Sequence, residues 1–466
     1  MTTFRRVVES REERSFLVRA GRAGRAGRAD NARVRLSGYD LLTGPWYTPL
    51  TFFYRETLDG AQLRASLART LRRYPPLAGR LVRDRDGGLS ALCNDAGVRF
   101  IEAVSPEPMR EYGPQLRTEP VIGHLLREVS AFRVIDRDTP LLKIRLTQMR
   151  GGGSVLGVMI NHSLADGANT LAFLESWSRE HRGLPYPEPC HDRSLLDALG
   201  QESADPAIVD ARAFVGVSRL RLLTTNIKVG LNKLATVATR FEAAELAAMK
   251  RTAQKQLTDT GSWVSTNDVL TAHIWQVLGE LRARPDDAAE WLGMIIGAQS
   301  RLGAALPAEY WGNCVSNSWT RTSAAALRTR PLGRLAQDVR ACLDANTADK
   351  LRDEIAFLNS YRRAGVSRHV MSVRAPDVFE TAVSINNWSQ FPLYRIDLGA
   401  GTPFWYEFPD LPVPTVHIAP TPAEDGGRDV YLCLAQEHAA AVRSPAWLER
   451  LHAYGTLHGK PAPVGE

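Results

Sequence analysis

The sequence predicts an α/β fold of two similar-sized domains, with mixed sheets flanked by helices. Three observations carry this. At 466 residues the chain is too long for one compact core. Helical and strand periodicities are interleaved in both halves. A hydrophobic content of 44% beside 23% charged residues is that of an ordinary globular protein.

Residues 1–33 read as a flexible N-terminal region. They contain the triplet repeat Gly-Arg-Ala at 21–30, which carries no hydrophobic payload to order itself. Ordered structure is expected from about Val34, in a first domain over 34–205. Asp59 reads as the N-cap of a helix with Leu63, Leu67 and Leu71 on one face, stopped by Pro75-Pro76. Leu142, Ile144 and Leu146 alternate with Lys143, Arg145 and Thr147, the pattern of a half-buried strand. Gly151-Gly152-Gly153 then turns the chain into a continuously apolar strand that delivers His162, and a helix follows Gly167 with Leu171, Leu174 and Trp177 inward.

The Pro-rich stretch 184–212 is aperiodic, and 206–237 is expected as the crossover to a second domain over 238–466. There, Ser265 or Thr266 caps a helix bearing Val269, Leu270, Ile274, Val277 and Leu278. Met294-Ile295-Ile296 and Ala382-Val383-Ser384-Ile385 read as buried strands, and Val430, Leu432 and Leu434 as a late alternating one. Pro331 and Pro445 open further helices, the last with Trp447, Leu448 and Leu451.

Composition excludes several function classes. Five cysteines (Cys93, Cys190, Cys314, Cys342 and Cys433) form no CxxC pair, which argues against a disulfide framework or zinc knuckle and fits a reducing cytoplasm. No apolar run approaches the roughly 20 residues of a membrane span, and the N-terminus lacks the apolar core of a secretory signal. The net charge of +7 comes from arginines spread along the chain, without the aromatic-interleaved basic stripe of a nucleic-acid binder. The expected protein is cytoplasmic and monomeric, with neither nucleic acid nor membrane as partner.

The chemistry is expected at Asn161-His162-Ser163-Leu164-Ala165-Asp166-Gly167. A histidine placed where an apolar strand ends can take and return a proton near neutral pH. Asp166, four residues on, either orients the imidazole, as in a catalytic triad, or is structural. Gly167 either leaves room for a ligand and lets the chain turn, or is simply the glycine that starts the helix. His162 and Asp166 have no third and fourth metal ligand, and His181, Cys190 and His191 only flank a Pro-rich loop, so no metal is expected. No G-x-S-x-G elbow is present, and Cys314 reads as core rather than nucleophile.

These residues resemble the BAHD family of acyl-CoA-dependent acyltransferases. That family carries His-x-x-x-Asp-Gly near the middle and Asp-Phe-Gly-Trp-Gly near the C-terminus. Here the second motif reads Asp397-Leu398-Gly399-Ala400-Gly401, 235 residues after His162. Leu36-Ser37-Gly38-Tyr39-Asp40, Tyr74-Pro75-Pro76-Leu77-Ala78-Gly79-Arg80, Ser265-Thr266-Asn267-Asp268-Val269, Tyr310-Trp311-Gly312-Asn313 and Asn387-Trp388-Ser389-Gln390-Phe391-Pro392 are similar to other family blocks, in matching order. The chain is a divergent member: Leu398, Ala400 and Thr402 depart from the second motif, and Gln299 stands where an arginine is usual.

The resemblance implies chloramphenicol-acetyltransferase-like domains with a channel between them, and acyl-CoA as co-substrate without a bound cofactor. It implies direct transfer to a hydroxyl or amine in a ternary complex, with His162 as base. The modest positive field suits a polyanionic thioester. By the same resemblance Asp166 points away from the imidazole and pairs with an arginine, with Arg301 as the first candidate. Asn386 or Trp388 would hold the oxyanion, Ser265 and Thr266 at a helix start would meet coenzyme A, and Asp397, Gly399 and Gly401 would be structural. Trp46, Tyr47, Phe52 and Phe53 read either as channel walls or as core. Two alternatives remain: a condensation-type enzyme fed by a carrier protein, and a non-catalytic ligand-binding member.

Overall fold

The computed structural model describes residues 12–21, 32–109, 134–231, 233–257, 261–407 and 413–455. Two six-stranded mixed sheets dominate it. The first runs, in spatial order, Glu12–Val18, Val98–Pro108, Leu142–Arg150, Ser154–Asn161, Tyr47–Tyr54 and Trp405–Glu407. Its neighbours are antiparallel except for the parallel pair Val98–Pro108 and Leu142–Arg150. The second runs Leu234–Phe241, Arg428–Ala435, Thr415–Pro420, Ala382–Asn387, Ala289–Gly297 and Val315–Ser323. In it Ala382–Asn387 is parallel to both of its neighbours.

Helices cover one face of each sheet. Gly60–Leu71 and Gly167–His181 bury Leu63, Leu67, Leu71, Leu171, Leu174 and Trp177 against the first. The Asp59 carboxylate accepts from the Ala61 and Gln62 amides, so that helix starts where its cap residue requires. Thr266–Arg282 and Leu332–Asp344 close the second core, around Trp275, Leu335 and Val339. A third apolar cluster joins Tyr39, Leu196, Tyr310, Leu351 and Leu358, drawn from both halves of the chain.

Several sequence expectations need correction. Ordered structure is present well before Val34: the strand Glu12–Val18 pairs along its whole length with Val98–Pro108, and Glu13 meets the Arg145 guanidinium at 2.6 Å. Residues 22–30 of the Gly-Arg-Ala repeat lie outside the described residues. The 206–237 crossover contains the helices Pro206–Asp210 and Arg219–Leu231 and the strand Phe214–Gly216, and the second sheet opens within it at Leu234.

The strand Leu142–Arg150 is buried on both faces rather than one, because Lys143, Arg145 and Thr147 are buried, as are Ile144 and Leu146 between them. The domain line is also crossed. Trp405–Glu407, late in the chain, adds to the edge of the first sheet beside Tyr47–Tyr54, with Trp405 opposite Phe53.

Candidate active site

His162 follows the strand Ser154–Asn161, all eight residues of which are buried. Its backbone is held from three directions. The His162 N–H donates to the Trp46 carbonyl at 2.7 Å, and its own carbonyl accepts from Asn313 Nδ2 at 2.7 Å and from Thr43 Oγ1 at 3.2 Å. The residue keeps partial exposure, while its Nδ1 is buried and, among the described residues, makes no hydrogen bond.

Asp166 does not reach that ring nitrogen. It is the N-cap of Gly167–His181: Oδ1 accepts from the Asn169 amide at 2.9 Å, and Oδ2 accepts from the Cys314 amide at 3.0 Å. Burial pushes its carboxyl above the ordinary range, against the pull of these amides and of nearby His162. One side chain thus caps the helix after the histidine and ties it to a segment nearly 150 residues away. The expected partner, Arg301, is elsewhere, donating to the Asn346 carbonyl at 3.3 Å.

The buried arginine beneath this loop is Arg193. Its Nε meets Asp40 at 2.8 Å, and its terminal nitrogens donate to the carbonyls of Leu164, at 2.9 Å, and Trp311. Asp40, fully buried, also accepts from the Asn313 amide at 2.9 Å and from Asn313 Nδ2 at 2.8 Å. A relay of Arg193, Asp40 and Asn313 therefore ends on the His162 carbonyl. Gly312 lets it close, since a Cβ there would lie 2.6 Å from the Arg193 guanidinium carbon. Sequence reading assigned no role to these three residues. Arg193 sits in the aperiodic Pro-rich stretch, and the only signal was that Asp40 and Asn313 fall in family-like blocks.

Gly167 leaves space, but not for a ligand. A Cβ on it would run into the Trp388 indole, 2.9 Å from Cε2, and its φ is not in the left-handed region. Trp388 in turn stacks edge-on with His417, ring centres 4.9 Å apart. Asn386, two residues earlier, is half-buried and in register with His417, and among the described residues its amide makes no hydrogen bond. Its neighbour Asn387 contacts Asn267 in the first turn of Thr266–Arg282. Thus His162, Asp166, Gly167, Trp388, Asn386 and that helix start form one continuous region.

At the helix start Ser265 is engaged in a capping box with Asp268 and also accepts from Arg340 at 3.0 Å. The second motif lies at the opposite end of Gly167–His181. The Asp397 carbonyl accepts from Ser178 Oγ at 2.6 Å, roughly 16 Å along the axis from Gly167. Its carboxylate accepts from the Gly399 amide at 2.9 Å, and Gly399 and Gly401 turn with φ of +87° and +85°. Among the apolar candidates, Phe52 and Phe53 are core, whereas Trp46 is exposed and Tyr47 half-buried.

Residues 26–446 match the profile of the Transferase family. The chain belongs to this family, the BAHD acyltransferases. Among BAHD relatives, shikimate O-hydroxycinnamoyltransferase of Nicotiana tabacum is 27% identical over 412 residues, covering 86% of this chain and 92% of the relative. Tryptamine hydroxycinnamoyltransferase 2 of Oryza sativa subsp. japonica is 26% identical, covering 88% and 92%. The structure of F. graminearum TRI101 complexed with coenzyme A and T-2 mycotoxin superposes with a TM-score of 0.68 at 18% identity, over 90% of this chain and 98% of that one, which shows a shared two-domain fold.

This BAHD chain is an acyl-CoA-dependent acyltransferase that acylates a hydroxyl or amine of a small molecule. Acyl-CoA is its co-substrate. Among the described residues no helix is long and apolar enough to cross a membrane, and no group of three His, Cys, Asp or Glu side chains is placed to hold a metal ion.

Proposed function

We propose that His162 is the general base of this transfer, acting in a channel between the two halves of the chain. The observation that carries it is the pinned backbone and partly exposed ring of His162, with no carboxylate on the imidazole. With Nδ1 buried, Nε2 is the nitrogen that meets substrate. It takes the proton of the acceptor hydroxyl or amine as that atom attacks the thioester carbonyl. When the tetrahedral intermediate collapses, the C–S bond breaks and the sulfur of coenzyme A takes the proton back.

The oxyanion formed in between needs a donor, one such donor being worth about 3 kcal/mol. The Asn386 amide and the Trp388 indole N–H are the candidates. Ser265 and Thr266 are the proposed coenzyme contacts, although Ser265 already serves as a cap. Asp166, Asp397, Gly399 and Gly401 have structural roles in this reading. Burial pushes the Cys314 thiol far above its ordinary value, which favours direct transfer over an acyl-cysteine route.

The setting proposed with this chemistry is cytoplasmic secondary metabolism, carried out by a monomer. The test is His162→Ala, with coenzyme A release from acyl-CoA and acceptor as the readout. Turnover should fall at least about 100-fold with an unchanged circular dichroism spectrum. A variant within a few-fold of wild type refutes the base. Strict dependence on a carrier protein would favour the condensation-type alternative.

A further inference from the structure

Lys143 stands out among the buried charges. It lies on Leu142–Arg150, opposite Met159 of the strand that ends in His162. It is 6% exposed, and its ammonium sits 4.6 Å from the centre of the Tyr47 ring. Tyr47 is in register with Asn161, the residue before His162, and follows Trp46, whose carbonyl holds the His162 N–H. Among the described residues the ammonium makes no hydrogen bond and no ion pair. The charge that acts on it is Arg99, on the neighbouring strand and also positive.

Other buried cations among the described residues are paired. Lys350 donates to Asn346 Oδ1 at 2.7 Å and faces Glu354 at 3.8 Å. Arg145, two residues from Lys143 on the same face, meets Glu13 at 2.6 Å. A lysine buried this far beside an aromatic ring and a second cation, with no counter-charge among the described residues, has a poorly solvated ammonium. Burial pushes Lys143 down to about 8. A ligand anion would supply what the fold withholds.

We propose that Lys143 is a specificity residue that recognises a carboxylate on the acyl acceptor, so that the natural acceptor is a hydroxy or amino acid. This rests on His162 being the base. It assigns the anion to the acceptor because Lys143 and Tyr47 belong to the first sheet, whereas the residues proposed for coenzyme A, Ser265 and Thr266, head a helix packed on the second.

The test compares the full-length wild type with Lys143→Met and Lys143→Arg on matched substrates. The acceptors are hydroxy and amino acids, each paired with its methyl ester and supplied with acetyl-CoA and p-coumaroyl-CoA. The donors are succinyl-CoA paired with butanoyl-CoA. Wild type should prefer acid over ester by about 10- to 100-fold in kcat/KM, the worth of one charge-assisted contact. Lys143→Met should erase that ratio through KM for the acid, and Lys143→Arg should retain most of it.

Because the ratio is taken within each variant, ester turnover reports whether the variant is folded. A preference lost only in the donor pair overturns the acceptor assignment. An acid-to-ester ratio that Lys143→Met leaves unchanged, or a wild type without any acid preference, overturns it too. His162→Ala is run in parallel: if it retains transfer the base is wrong, while the acid-to-ester ratio still reports on Lys143.

Discussion

Gly167→Ala isolates one contact that joins the two halves of the site. The glycine opens the helix that carries the Asp166 cap, and its φ is one that alanine adopts freely, so the backbone is no obstacle. The obstacle is Trp388. A methyl at 167 would press on the face of the indole, 2.9 Å from Cε2 and 3.1 Å from Cη2, where carbon contacts settle at about 3.5–4.0 Å. Cζ2 lies nearer still, so the ring must retreat by roughly an ångström or more, and the same indole is already packed against His417, ring centres 4.9 Å apart.

Overpacking of this kind costs about 1–3 kcal/mol, and a kcal/mol lowers the melting temperature by roughly 2–4 °C in a domain of a couple of hundred residues. Catalysis should suffer more than stability if Trp388 helps to hold the oxyanion, because a displacement of that size spoils a hydrogen-bond geometry. Thermal melts and kcat for Gly167→Ala, Trp388→Phe and the double variant separate these effects. The smaller ring should absorb the methyl, so the double variant should be more stable than the sum of the two singles predicts. A Gly167→Ala protein with wild-type melting and wild-type kcat would refute the packing argument.

Three further outcomes are expected. Arg193→Met leaves the Asp40 carboxylate buried without its cation and should cost about 3–5 kcal/mol, read by denaturant unfolding; an unchanged midpoint would show that the relay to the His162 carbonyl is dispensable. Asp166→Asn sets an amide N–H against a backbone N–H and should cost about 1–3 kcal/mol with a moderate loss of kcat, whereas a normal melting curve with activity abolished would mean that the carboxylate orients the imidazole instead. Burial holds His273 neutral down to about pH 4, against 6.5 for the free side chain. Its folded pKa is depressed, so the unfolded chain binds the extra proton, and the stability from this residue is full above pH 6.5 and lost as pH falls towards 4. The stability gap between wild type and His273→Gln should therefore narrow by up to about 3 kcal/mol between pH 7 and pH 4; a gap that does not change with pH contradicts this.

What the sequence revealed was local. The Asp59 cap, the leucine face of Gly60–Leu71, the apolar strand into His162 and the helix after Gly167 are each written in fewer than twenty consecutive residues, and each forms where its pattern placed it. The contacts that hold the site together are separated by more than a hundred residues. Arg193 reaches Asp40 across 153 positions, and Asp40 reaches Asn313 across 273. A single sequence carries no periodicity for such polar pairs. Alternation also misled at Leu142–Arg150. Lys143, Arg145 and Thr147 look like a solvent face, yet that face is covered, with Arg145 on Glu13 and Lys143 on Tyr47. A three-residue strand such as Trp405–Glu407 is too short to announce that it completes the other half's sheet.

These long-range bonds give the two halves different tasks. The peptide carrying His162 is fixed by Trp46 and Thr43 from the first half and by Asn313 from the second, while Asp166 binds the Cys314 amide across the same boundary. The loop carrying His162 and Asp166 therefore acquires its geometry only when the halves are docked. Such fixing suits a reaction whose barrier falls chiefly through placement and a preset oxyanion donor. It also frees other positions to vary without moving the proposed base. The Lys143 side chain touches none of the groups that pin His162, so a change there can alter which substrate is accepted while the proposed base keeps its position.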